Sequence, residues 1–172
     1  LSANAKWIWD RPNGYGDSAV SPGKIIIFFN TYENGSDADI NGELWIAADD
    51  KASVMINGKL VTNHSGQKAS KSNYTFQKGL NTIQITVQNT GNAHSSAGLI
   101  ASFFTDQTDQ QGGTISVLDT DSSWKYVRTD QFAPTPMWTT LDGGYSYGND
   151  PQRYTRGGPL QAGLDNYTPC KN

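Results

Sequence analysis

The chain is 172 residues long, 35 % hydrophobic and only 17 % charged, with a formal net charge of −3 and a pI near 5.2. That length suits one domain whose core needs no disulfide or metal as its main support. No apolar run approaches the ~20 residues of a membrane span, the 11 % aromatic content argues against disorder, and the lack of a basic stripe argues against a nucleic-acid interface.

In chain order the signal is for strands alone. No window keeps apolar residues at i, i+3, i+4 and i+7 over three turns. Trp7-Ile8-Trp9 opens with a short strand. Lys24–Tyr32 (KIIIFFNTY) is rich in β-branched and aromatic residues, which favour strands. Glu43–Ala48 and Ala52–Ile56 follow, joined by a turn at Asp49–Lys51. Asn57-Gly58 is a hairpin signal, because both central residues of a type I′ turn need positive φ. The returning strand is Lys59–Thr62. Asn81–Asn89 alternates, with Ile83, Ile85 and Val87 facing in and Thr82, Gln84, Thr86 and Gln88 facing out, as in a half-buried antiparallel strand. Ala97–Thr105, Thr114–Leu118 and Trp124–Thr129 complete the set. Short strands between Gly, Asn and Asp turns predict an all-β fold, an antiparallel β-sandwich.

The chain changes character after Phe132. Five of its seven prolines lie at 134, 136, 151, 159 and 169, among Gly pairs and large aromatics. A free linker lacks such aromatics. We therefore expect residues 1–132 to form the sandwich core and residues 133–172 a Gly/Pro/aromatic-rich tail packed on the same domain. Leu1 stands where an initiator Met would, and Cys170 has no second cysteine to pair with. Both lead us to expect one module of a larger protein or assembly, with Cys170 either pairing between molecules or staying a plain thiol.

The order Trp7-Ile8-Trp9, Ile25–Phe29, ELWIAADD (Glu43–Asp50), VMINGKLV (Val54–Val61), GLNTIQITVQN (Gly79–Asn89), AGLIASF (Ala97–Phe103) and TDSSWK (Thr120–Lys125) resembles the galactose-binding-domain-like jelly rolls that serve as accessory modules of bacterial glycosidases. The resemblance covers about Lys6–Thr129. It implies a jelly-roll sandwich and no catalysis by the domain itself. Leu44–Val61 also resembles the core of PA14 domains, another β-sandwich. In PA14-type adhesins a paired Asp-Asp holds a calcium ion that binds sugar hydroxyls, and Asp49-Asp50 matches that pair.

The residues themselves leave two readings of Asp49-Asp50. Adjacent carboxylates supply hard oxygens to a calcium ion, or they are turn residues that accept backbone N–H bonds. Asp37, Asp39 and Asn41, followed by Gly42, have the spacing that opens a calcium loop. Ala48 stands where that loop would need its bidentate Glu, so a solvated loop is the other reading. For sugar binding, aromatic rings stack on C–H faces while amides and imidazoles bond hydroxyls. The tail offers Trp138, Tyr145, Tyr147 and Tyr154. The loop Thr90–Ser96 offers Asn92 and His94, at the kind of sandwich end where ligands bind. Strand aromatics such as Trp45 and Phe104 read as core or sheet-face residues.

Catalysis is poorly supported, although 16 acidic residues leave a carboxylate pair for glycoside hydrolysis, and so a glycosidase fragment, as a rival reading. His64 and His94 belong to no zinc spacing, and there is no G-x-S-x-G. N-x-S/T sequons occur at Asn34, Asn63, Asn73 and Asn166. In a eukaryotic secretory route all four should be on the surface as glycosylation sites. The expectation is a secreted, extracellular, non-catalytic carbohydrate-binding module for recognition or adhesion at a cell, matrix or virion surface. Its partners would be glycans or glycoproteins, without nucleic acid or membrane insertion, and calcium would be structural or sugar-bridging. The alternative is a spacer module with no sugar binding of its own.

Overall fold

A computed structural model describes residues 1–10, 20–129 and 145–146. It is built of strands β1 (Ile8–Trp9), β2 (Ile25–Asn34), β3 (Ile40–Asp49), β4 (Lys51–Ile56), β5 (Lys59–Ser65), β6 (Ser70–Phe76), β7 (Gly79–Gln88), β8 (Gly98–Thr108), β9 (Thr114–Asp119), β10 (Lys125–Arg128) and β11 (Tyr145–Ser146). They form two antiparallel sheets. One is six-stranded, in the order β11-β1-β8-β3-β6 with β9 beside β8; the other is five-stranded, in the order β10-β2-β7-β4-β5. The hairpins β4–β5 and β8–β9 stay within a sheet. The remaining connections cross from one sheet to the other, and this closes the sandwich.

Alternation decides which side chains fill the space between the sheets. In β7, Ile83, Ile85 and Val87 are buried while Thr82 and Gln84 are exposed, as the period-2 pattern predicts. Phe28, Val54 and Tyr126 face inward from the same sheet, and Trp9, Leu44, Ile46, Phe76 and Phe103 meet them from the other. Phe103 stacks against both Phe76 and Trp124, with centroids 6.1 and 6.4 Å apart. The Trp124 indole also donates to the Asp119 carbonyl at 2.8 Å, so its polar end is satisfied in the core.

Three differences from the sequence reading have physical causes. Strand β6 was not expected. It is an edge strand that turns only Tyr74 and Phe76 fully inward, so its first residues (SKSN) read as loop. The turn at Asp49–Lys51 shrinks to Asp50 alone, because β3 ends at Asp49 in one sheet and β4 starts at Lys51 in the other. Asn34 is not on the surface as a glycosylation site requires. It is 1 % exposed, and its amide donates to the carbonyls of Ala38 and Gln77 at 2.9 and 3.2 Å. Asn63 and Asn73 are exposed, and Asn166 lies outside the described residues. The hairpin is as expected, with Asn57 at φ 50° and Gly58 at φ 75°.

Candidate functional site

The register gathers several elements at one end of the sandwich. Ser146, Ile8, Leu99 and Ala48 form one row across the six-stranded sheet, and Asp49 lies one residue beyond it. In the facing sheet, Gln88 pairs with both Ile25 and Lys51. The Asp49–Asp50 corner, the loop after β7, the loop before β6 and the backbone of Tyr145 therefore share this end.

The two carboxylates of the corner are held by two loops. Asp49 is 7 % exposed, and its Oδ2 accepts from Gln67 Nε2 at 2.9 Å. Asp50 Oδ2 accepts from the Thr90 main-chain N–H at 2.7 Å and from the Thr90 hydroxyl at 2.9 Å. Main-chain bonds reinforce both loops. Gly66 N–H donates to the Asp50 carbonyl at 2.8 Å, Ala48 N–H donates to the Gly66 carbonyl at 3.1 Å, and Asp50 N–H donates to the Gln88 carbonyl at 3.2 Å. Burial first, and then the neighbouring Asp50 through a hydrogen bond and charge repulsion, push the Asp49 carboxyl up to about 6, against the opposing bond from Gln67.

His64 and Asn89 position these loops, and neither is legible in sequence. His64 Nε2 lies 2.7 Å from the Gly66 carbonyl, which can only accept, so Nε2 donates there, and Nδ1 lies 2.7 Å from the Ser70 hydroxyl. The ring closes the 65–69 loop that presents Gln67. Asn89 is fully buried. Its amide donates to the Val20 and Ser21 carbonyls at 3.0 and 3.1 Å, and its oxygen accepts from the Ser95 hydroxyl at 2.8 Å. This fixes both ends of the loop carrying Asn92 and His94, which are exposed. His94 Nε2 lies 3.5 Å from the Ser21 hydroxyl.

The other predicted residues fall elsewhere. Asp37, Asp39 and Asn41 lie toward the opposite end, where Lys78 meets the two acids and Thr75 meets Asn41. The Asp39 carboxylate accepts from Lys78 N–H at 2.9 Å, Asp37 meets Lys78 Nζ at 3.4 Å, and Asn41 Oδ1 accepts from the Thr75 hydroxyl at 2.9 Å. Trp138, Tyr147, Tyr154 and Cys170 lie outside the described residues. Tyr145 pairs with Trp9 through the backbone.

Neither a protein-family profile nor a curated protein sequence matches the chain. Solved structures do. The chain is similar to the Pleurotus ostreatus lectin in complex with GalNAc, with a TM-score of 0.65 and 21 % identity over 91 % of this chain and 46 % of that one. The apo form of the same lectin matches with a TM-score of 0.58 and 25 % identity, over 84 % and 41 % of the two chains. The α-L-rhamnosidase of Dictyoglumus thermophilum matches with a TM-score of 0.59 and 14 % identity, over 86 % and 21 %. The chain thus spans about half the length of the lectin. What it shares with these proteins is the β-sandwich fold.

Proposed function

We propose that this chain is a non-catalytic, lectin-like domain of the galactose-binding-like jelly-roll type, and that it binds carbohydrate at the Asp49–Asp50 end. One observation carries the reading. Two adjacent carboxylates, one of them buried, are clamped between the Gln67 loop and the loop bearing exposed Asn92 and His94. The lectin with GalNAc bound supports the same ligand class for this fold.

A calcium ion suits this donor set. Asp49 and Asp50 offer hard oxygens, and a divalent cation relieves the burial and repulsion that raise the Asp49 carboxyl. The described residues contain no cluster of three or more His, Cys, Asp or Glu. Further ligands would therefore be loop carbonyls, the Asn92 amide oxygen, water or sugar hydroxyls. A bound ion supplies a positive centre for paired hydroxyls. Asn92 and His94 bond neighbouring hydroxyls, and we assign Trp138, Tyr145, Tyr147 and Tyr154 to stacking on the sugar's C–H face. Such a domain works outside the cell, in recognition or adhesion at a surface, as one module of a larger protein. Weak single-site affinity then gains from multivalency.

A glycan array run with calcium and with EDTA tests this. The expected result is binding that disappears in EDTA and in Asp50→Ala. Binding that survives both would move the site away from this corner. The match to 21 % of a rhamnosidase favours a second reading, a spacer module without a ligand; a blank array would select it.

A further inference from the structure

We propose a protein-docking surface that goes beyond the reading above and does not depend on it. The free edge of β6, with the cavity beside it, receives an extended segment of a partner protein that carries basic residues at alternate positions. The edge supplies main-chain hydrogen bonds, and the cavity supplies selectivity for positive charge.

Strand β6 pairs with β3 along all 7 of its residues, from Ile46↔Ser70 to Ile40↔Phe76, without a register shift. Among the described residues no strand lies on its other side. The other sheet edges are blunted. The β4–β5 register shifts between Val54 and Met55, the β8–β9 register is irregular, β10 has 4 residues and β11 has 2. Bulges, short strands and outward lysines are the usual guards of an edge. The lysine of β6, Lys71, instead leans over its own sheet to Glu43 at 2.8 Å. An edge of this kind accepts an added strand through its unpaired main-chain groups, and neighbouring pockets select alternate side chains.

The cavity, of about 760 Å³, opens beside this edge on the outer face of the six-stranded sheet. Asn73, Glu43 and Phe104 form one row across β6, β3 and β8; Thr75 and Asn41 belong to the next, and Asp106 follows Thr105, the partner of Gly42. Two carboxylates and no cationic side chain line the cavity. Asp106 and Asn73 are exposed, and their side chains make no hydrogen bond among the described residues. An added strand lies ~10 Å from β3, so a basic side chain opposite Asn73 and the Glu43 side chain together span the gap. Asp106, one strand farther, adds a second negative charge within about a Debye length. The Lys71–Glu43 pair is half-exposed at both ends and is easily displaced. A second copy fits less well. Two β6 strands paired antiparallel over their whole length would set Asn73 opposite Asn73 and Lys71 opposite Thr75, so an amide and not a cation would meet the row of Glu43.

The test is a backbone-amide NMR titration of the full chain, made in bacteria so that Asn73 carries no glycan. The probe is an end-blocked heptapeptide that alternates threonine with arginine. Its alternation keeps the arginines on one face of an added strand. One control replaces arginine by citrulline, which is neutral, and another places proline at the centre, which removes a ladder hydrogen bond. The arginine peptide is expected to shift amides of β6 together with Glu43 and Asp106. Citrulline in the peptide, or Glu43→Gln in the protein, should each weaken binding about fivefold, and the proline peptide should lose it. Asp50→Ala should leave it unchanged. No shift along β6 would overturn the proposal, as would shifts confined to the Asp49–Asp50 corner. So would equal binding of the arginine and citrulline peptides, equal binding of the proline peptide, or binding unaffected by both Glu43→Gln and Asp106→Asn. Shifts along β6 that grow with protein concentration in the absence of peptide would overturn it in favour of a second copy.

Discussion

Replacing Asp49 by Asn tests the electrostatics of the corner directly. The Asp49 carboxyl is raised from 3.8 to about 6, so it holds its proton more tightly in the folded chain than in the unfolded one. Between about pH 4 and pH 6 the folded state carries the extra proton, and stability falls as pH rises through that window. At completion the loss is about 3 kcal/mol, shared with Asp50 through their coupling. At roughly 2–4 °C per kcal/mol for a chain of this size, this one group lowers Tm by roughly 6–12 °C at pH 7.5 relative to pH 4. An Asn side chain can still accept from Gln67 and donate to Asp50, but it carries no charge. The assay is thermal unfolding of both proteins in EDTA from pH 4 to 7.5. Asp49→Asn should melt above the parent at pH 7.5, with the gap closing by pH 4. Calcium at about a hundred times its Kd should then add about 2.7 kcal/mol to the parent and far less to the variant. A gap independent of pH, a variant that melts lower at pH 7.5, or equal calcium stabilisation of both would refute the reasoning.

Three further substitutions probe the scaffold. Gly42→Ala places a Cβ against the Phe104 carbonyl oxygen and 2.5 Å from Tyr74 Cζ, where the Tyr74 hydroxyl bonds that same carbonyl at 2.7 Å. It should cost about 1–3 kcal/mol, read as a lower urea midpoint at constant m; an unchanged midpoint would show that the sheet gives way freely. Asn57→Ala loses bonds to Thr82 N–H and to the Asn81 side chain, both at 2.8 Å, and forces a Cβ residue to φ 50°. About 2–4 kcal/mol should be lost, and Asn57→Gly should recover the backbone part. Asn89→Ala frees the ends of the Thr90–Ser96 loop, so amide exchange at Ser95 should speed up and array signal should fall in protein that is still folded. Unchanged exchange would mean that the Val20–Ser95 bridge alone holds the loop.

The strands were legible where burial imposes alternation. β7 reads cleanly because its inner face is core and its outer face is open. β6 does not, because an edge strand with two fully inward residues leaves little pattern. The corner was half legible. Asp49 and Asp50 are neighbours in sequence, but Thr90 reaches Asp50 across 40 positions and Gln67 reaches Asp49 across 18. Local spacing carries no trace of such contacts. Asn34, Asn81 and Asn89 mislead in another way. Asn34 reads as a glycosylation residue, and Asn81 and Asn89 as the ends of an ordinary strand, yet each is buried and ties loop carbonyls together.

The two ends of the sandwich differ in how their acids are matched. At the Asp37–Asp39 end, the Lys78 ammonium meets Asp37 and the Lys78 backbone N–H bonds Asp39, so one of the two charges has a counter-charge. At the Asp49–Asp50 end, among the described residues, the bonds that reach the two carboxyls from the loops come from the Gln67 amide, the Thr90 hydroxyl and the Thr90 main-chain N–H, all neutral donors. Neutral donors orient carboxylates without cancelling their charge, and burial of Asp49 makes the remaining charge more costly. In the binding proposed above, a cation or a cluster of hydroxyl donors would meet these two carboxylates.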